Sequence, residues 1–154
     1  MVMRFIPIIF ISLLINFSVF ADLLKPNSNI QPDEVIAIQL KALKQNNSPY
    51  QDAGISQTWE FAHPQNRQYT GPLSNFILMM KSDSYSLILD HTNHNIIFVS
   101  MNNNIANYFV ELTDKIGNKF GFMWTVKKVL TEGKFKDCWM TSGVSQPLPL
   151  AKSA

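Results

Sequence analysis

The sequence predicts an α+β domain in which N-terminal helices pack on one face of a curved, four-stranded antiparallel sheet. Apolar residues recur at helical spacing through the first half of the chain, whereas from Asn95 onward they alternate with polar residues. The helices all precede the strands. This order favours helices gathered on one side of an antiparallel sheet over alternating βαβ units.

Composition limits the class of protein. The chain has 154 residues, of which 46% are hydrophobic and 12% aromatic, so it can form one domain with a real core. The net charge is only +2 and the basic residues are scattered, which argues against a nucleic-acid partner. The single cysteine, Cys138, excludes an internal disulfide and a cysteine-based zinc site.

Residues 1–21 have the pattern of a secretory signal peptide. Arg4 supplies a positive start, Phe5 to Phe20 is almost wholly apolar, and small residues precede a cut between Ala21 and Asp22. The alternative is an uncleaved anchor, which would be the protein's only membrane contact. A mature chain without disulfides suits the periplasm, so we expect a periplasmic or secreted protein.

Three helices are predicted after a polar arm at residues 22–31. The first begins at Pro32 and carries a broad apolar stripe until the polar run from Gln45. The second covers Asp52 to Ala62 and ends at the break His63 to Arg67. The third covers Leu73 to Met80, and Tyr85 to Leu89 could add one more turn.

Four strands complete the predicted domain, which spans residues 32–145. The first two cover Ile96 to Met101 and Ile105 to Thr113, separated by an asparagine-rich turn. The third begins at Phe120, and the fourth begins at Cys138 after a polar turn containing glycine. Residues 146–154 contain two prolines and are predicted to be a flexible tail.

Several short motifs resemble a family of small secreted bacterial proteins with plant relatives, known as domain of unknown function 4864. The strongest is Phe61-Ala62-x-Pro64-x-Asn66-Arg67. The other residues that carry the resemblance are Gln39, Leu40, Ala42, Leu43, Gly54, Ile55, Gly71, Phe76, Met79, Tyr85, Asp114, Gly117, Trp124, Cys138, Trp139, Met140 and Thr141. The order of helices and strands is also similar to the cone fold of nuclear transport factor two and the ketosteroid isomerases. The resemblance implies that fold and no activity.

A cone of this kind would have an apolar mouth, where a ligand could lie between helices and sheet. Rings, methionines and a few polar side chains are the candidates for such a pocket, although rings and methionines at this spacing are more often plain core. The candidates are Trp59, Arg67, Phe76, Met79, Tyr85, His91, Tyr108, Trp124 and Trp139. Arg67 could bind an anionic ligand or tie its loop down through carbonyl groups.

No residue is assigned to catalysis or to a metal, and no cofactor fingerprint is present. His91 and His94 are three residues apart in a polar segment, where a solvated loop is a simpler interpretation than a metal site. His91 could be a general base at the cone mouth, or it could cap the last helix. Cys138, among apolar neighbours, is interpreted as an inert buried thiol.

Three functions follow from this interpretation. The first is non-catalytic binding of a small apolar ligand or a partner protein. The second is an isomerase or dehydratase, with Tyr108 as hydrogen-bond donor and a carboxylate base from Asp52, Glu60 or Glu111. Glu111 alternates with buried positions and is predicted to face solvent. The third is a structural homodimer, formed through Phe109 and its neighbours on the sheet.

Overall fold

The computed structural model describes residues 22–152, and the predicted signal peptide lies outside them. Within this range the chain forms helices first and strands afterwards. The helices are α1 (Pro32–Lys44), α2 (Ala53–Glu60), α3 (Pro64–Thr70) and α4 (Leu73–Met80), followed by a 3₁₀ turn at Ser86–Ile88. The strands are β1 (Asn93–Met101), β2 (Ile105–Thr113), β3 (Lys119–Lys128), β4 (Trp139–Val144) and β5 (Leu148–Ala151).

The helix α1 forms where the sequence predicts it. Pro32 occupies the first turn, where its missing N–H costs nothing, and Glu34 Oε2 accepts the N–H of Gln31 at 2.7 Å. One face of the helix is buried against the sheet and the other helices. The buried residues are Pro32, Val35, Ile36, Gln39, Leu40 and Leu43.

The sheet is antiparallel, with the order β1-β2-β3-β4 and with β5 paired to the start of β3. Alternation decides which face is buried: Ala106, Tyr108, Val110 and Leu112 point to the helices. On β3 the residues directly opposite, among them Phe122, Trp124 and Val126, are buried with them. The predicted α+β class, with helices packed on one face of a curled antiparallel sheet, is confirmed.

A helix replaces the break predicted after α2. Pro64 can begin a helix because the first helical position needs no N–H, and Nδ1 of His63 accepts the N–H of Gln65 at 3.1 Å. The residues predicted to break the chain after α2 therefore start α3. The short spacing places α3 beside β4, where His63 N donates to the carbonyl oxygen of Thr141 at 2.8 Å.

Part of the predicted flexible tail is a strand. β5 pairs with β3, with Phe120 opposite Pro149 and Gly121 opposite Leu148. β4 covers only the end of β3 from Trp124 onward, so the start of β3 would otherwise be an open edge. Pro149 is compatible with pairing because β5 lies at the edge of the sheet, and Pro147 precedes the strand.

Among the described residues, buried apolar side chains form two clusters. The larger joins side chains of α1, α2 and α4 to the inner face of the sheet, and Trp124, Phe61 and Phe122 are its largest fully buried side chains. The smaller contains Val129, Cys138 and Met140. None of the helices in residues 22–152 is both long enough and apolar enough to cross a membrane.

Candidate functional site

A cavity of about 130 Å³ opens between the helices and the end of the sheet. Its walls come from α1, α2, α3, α4, the 3₁₀ turn, β3 and β4. The lining residues are Gln39, Leu43, Thr58, Ala62, Asn66, Thr70, Phe76, Met79, Met80, Tyr85, Ile88, Trp124, Thr141, Gly143 and Val144. Every layer of the fold therefore contributes to this site.

Hydrogen-bonded polar groups contribute to the lining from four elements. Thr141 Oγ1 donates to Gln39 Oε1 at 2.6 Å, and Trp124 Nε1 donates to Thr141 Oγ1 at 3.1 Å and to Gln39 Oε1 at 3.3 Å. Gln39 Nε2 in turn donates to the carbonyl oxygen of Thr58 at 3.1 Å. The network is buried and neutral, so it adds polarity to the cavity without adding charge.

Tyr85 contributes the lining's weakly acidic side chain. Its hydroxyl donates to the carbonyl oxygen of Val144 at 3.0 Å, and burial raises the pKa of the phenol above its ordinary value. Tyr85 is therefore neutral near pH 7. No aspartate, glutamate, histidine, lysine or arginine lines the cavity among the described residues, so the lining offers apolar surface and neutral hydrogen bonds.

The structure brings four of the predicted pocket residues together and places the others elsewhere. Phe76, Met79, Tyr85 and Trp124 line the cavity. The remaining candidates lie outside its lining: Trp59, Arg67, His91, Tyr108 and Trp139. Trp59 packs on the ring of Phe76, with ring centroids 5.1 Å apart.

Arg67 ties its loop down through carbonyl groups, which is the second of its two predicted roles. Its guanidinium donates to the carbonyl oxygens of Trp59 at 2.8 Å, Glu60 at 3.1 Å and Ala62 at 3.0 Å. These carbonyls lie at the end of α2, where a helix leaves its last acceptors unsatisfied. Arg67 therefore joins α3 to α2, and burial lowers its pKa somewhat despite the nearby Glu60.

His91 is a capping residue rather than a group at the cavity. Its side chain is 1% exposed, and Nδ1 lies 2.7 Å from the carbonyl oxygen of Ile88 at the end of the 3₁₀ turn. His91 Nε2 lies 2.7 Å from Nδ1 of His94, which belongs to β1 and not to a solvated loop. No cluster of three or more metal-binding side chains occurs within the described part of the chain.

Tyr108 and Trp139 are core residues outside the cavity. Tyr108 lies on the inner face of β2, with its ring edge-on to Phe98 at a centroid distance of 5.8 Å. Trp139, at the start of β4, packs beneath the ammonium group of Lys128, which lies 5.1 Å from the ring centroid. Each ring therefore contacts a residue of a neighbouring strand.

None of the carboxylates considered for catalysis lines the cavity. Asp52 is buried at the start of α2, where Lys81 Nζ lies 2.7 Å from one carboxylate oxygen and Asn46 Nδ2 lies 3.1 Å from the other. Glu60 pairs with Lys25 at 2.9 Å. Glu111 is exposed on the outer face of the sheet, as predicted.

Cys138 is buried, as the sequence predicts. Only 3% of the residue is exposed, and it packs with Val129 and Met140 in the smaller core cluster. Burial raises the pKa of the thiol, and the charge of Asp137 raises it further. The thiol is therefore protonated at neutral pH and is a poor nucleophile.

Five polar lining residues were not predicted as pocket residues: Gln39, Thr58, Asn66, Thr70 and Thr141. The sequence could have identified Gln39, because it is a polar residue within the apolar stripe of α1. Such a residue must find a buried partner, because an unpaired amide in a core costs free energy. The other four have no comparable pattern in the sequence.

No protein-family model, curated protein or solved structure matches the chain. The resemblance to domain of unknown function 4864 therefore stays a prediction. Many of the residues that carry it surround the cavity: Gln39, Leu43, Ala62, Asn66, Phe76, Met79, Tyr85, Trp124 and Thr141.

Proposed function

We propose that the protein is a non-catalytic binding domain that takes a small apolar molecule into the cavity between its helices and sheet. The observation that carries the proposal is the lining, which combines apolar side chains with a neutral, internally bonded polar network and includes no formal charge. Small-molecule sites are commonly concave and apolar with a few placed polar groups.

The volume limits what can bind. A cavity of about 130 Å³ is close to that of an apolar protein cavity of roughly 150 Å³ that accepts benzene. The buried part of a ligand should therefore have about six to eight non-hydrogen atoms. A larger molecule would insert only its apolar end.

The isomerase or dehydratase alternative needs an acid or base beside the reacting atoms. His91 and the three carboxylates do not line the cavity, which favours binding over this alternative. A partner protein stays a prediction, as does a homodimer through Phe109. Phe109 lies on the outer face of the sheet between Ile97 and Met123, both of which are 38% exposed.

Binding can be tested through the indole N–H signals of the three tryptophans in a nuclear magnetic resonance titration with toluene. Only Trp124 lines the cavity, so its signal should shift, whereas that of Trp139 should not. For so few atoms we expect a Kd on the order of 0.1–1 mM.

Two phenylalanine variants distinguish toluene binding in the cavity from binding at the surface. Thr70→Phe places a ring beside the cavity and should weaken toluene binding several-fold. Ser74→Phe places the same ring at an exposed position of α4 outside the lining, and should leave the Kd unchanged. A Trp124 signal that stays still at saturating toluene in the unmodified protein would overturn the proposal.

We further propose that the protein acts after export, as a periplasmic or secreted protein. The support is the charged, apolar and small-residue pattern of residues 1–21. Native mass spectrometry of the protein purified from its own host should show a chain that begins at Asp22, and would reveal any retained ligand. A cell-associated chain that begins at Met1 would contradict export with cleavage.

A further inference from the structure

Asn66 has an unused amide at the cavity. It lies on α3, half-buried in the lining, and its main-chain carbonyl accepts the hydroxyl of Thr70 at 3.1 Å. Among the contacts of residues 22–152, no hydrogen bond is made by its side-chain amide. The buried amides Gln39 and Asn46, in contrast, each bond to other groups of the protein.

An amide side chain has two donor hydrogens and one acceptor oxygen, so Asn66 can hold either an acceptor or a donor of a ligand. Thr70 and Tyr85 also line the cavity, and each uses its hydroxyl hydrogen on a main-chain carbonyl. Their oxygen lone pairs remain able to accept. The polar groups left at the cavity therefore suit a hydroxyl or an amide.

A charged ligand group does not suit this site. The arginine next to Asn66 in sequence, Arg67, donates through Nε and Nη2 to three carbonyls of the α2 end and does not line the cavity. A carboxylate brought here would lose part of its hydration without gaining a cation, which is costly. An ammonium group would likewise find no carboxylate in the lining.

We infer that the ligand is a neutral amphiphile: an apolar ring or short branched chain inside the cavity, carrying one hydroxyl or carboxamide that hydrogen-bonds to the Asn66 side chain. This inference rests on the proposed binding function and deepens it. Asn66 is then a residue that determines ligand specificity.

The test compares toluene with benzyl alcohol, which adds one hydroxyl to a ring of the same size, in the unmodified protein and in Asn66→Leu. Leucine nearly matches asparagine in shape but cannot form hydrogen bonds. In Asn66→Leu the affinity for benzyl alcohol relative to that for toluene should fall by about three- to tenfold. This is the loss expected for one neutral hydrogen bond. Gln65→Leu, at an exposed neighbour on α3 outside the lining, should leave the ratio unchanged.

The outcomes separate the two proposals. If neither probe shifts the Trp124 signal in the unmodified protein, both the binding function and the inference fail. If toluene binds but Asn66→Leu leaves the ratio unchanged, the inference fails and the binding function stands. Benzoate that binds as tightly as benzyl alcohol would also overturn the inference, since a neutral group would then not be required.

Discussion

His91 has its protonation state determined by two contacts. A carbonyl oxygen can only accept, so Nδ1 carries the hydrogen that faces Ile88 and Nε2 is left to accept from His94 Nδ1. A proton on Nε2 of His91 would reverse the second hydrogen bond, and His94 Nδ1 would have to change from donor to acceptor. Burial in this position lowers the pKa of His91 from 6.5 to about 4. The hydrogen bond to Ile88 and the charge of Asp90 oppose this shift, whereas His94 and Lys44 add to it.

We predict that His91 makes the free energy of unfolding depend on pH. The folded protein keeps His91 neutral, so as the pH falls below 6.5 the unfolded chain binds the proton first and is stabilised. The free energy of unfolding should fall from about pH 6.5 to about pH 4 and then level off. His91 contributes at most about 3 kcal/mol to this fall, because a pKa shift of one unit corresponds to about 1.4 kcal/mol.

Urea denaturation at pH 7 and pH 4 checks this prediction when the unmodified protein is compared with His91→Gln. Glutamine does not titrate, so the variant should lose less stability between the two values. His63 and His94 also have lowered pKa values, and their contribution should persist in the variant. An equal loss in both proteins would show that His91 does not contribute.

At the scale of elements, α1 and α2 approach each other so closely that only glycine fits at Gly54. A Cβ atom there would lie 2.4 Å from the carbonyl oxygen of Ala42 and 2.9 Å from the Cα of Asn46. The approach is held by Asn46, whose side-chain and main-chain oxygens accept the N–H groups of Ile55 at 3.0 Å and Gly54 at 2.9 Å. The junction positions the α2 end of the cavity.

We predict that Gly54→Ala lowers the free energy of unfolding by about 1–3 kcal/mol, because the helices must separate to admit a methyl group. Urea denaturation measures the loss. The matched control is Gly143→Ala, where an added Cβ meets no atom within 4 Å and the free energy should change little. Equal effects of the two substitutions would contradict the close-approach argument.

Local patterns predicted most elements because each pattern is a property of neighbouring residues. The stripe of α1 and the alternation of β2 are examples, and both are confirmed. The two elements that differ, α3 and β5, depend on distant partners. α3 is anchored by Thr141 and by the carbonyls that Arg67 reaches, and β5 forms because β3 has an uncovered edge.

At the scale of the whole molecule, one glutamine connects the layers. Gln39 of α1 bonds to α2 through Thr58, to β3 through Trp124 and to β4 through Thr141. It is 1% exposed. Because the partners are buried, they cannot replace a lost bond with water at no cost.

We predict that Gln39→Met, which removes the hydrogen bonds at nearly constant volume, lowers the free energy of unfolding by about 1–3 kcal/mol. It should also shift the indole N–H signal of Trp124, which loses one of its two acceptors. Ile38→Met, at the half-buried neighbour, provides the control and should cost less than about 1.5 kcal/mol. An unchanged Trp124 signal in Gln39→Met would contradict the network.

The sequence by itself determined the α+β class, the order of helices before strands, and the alternation along β2, because periodicity and capping act over a few residues. Only the tertiary structure decided which polar side chains meet at the cavity. Gln39 lies 85 residues from Trp124 and 102 residues from Thr141. Contacts between such distant residues leave no local pattern, so the site and the unused amide of Asn66 appear only once the chain is folded.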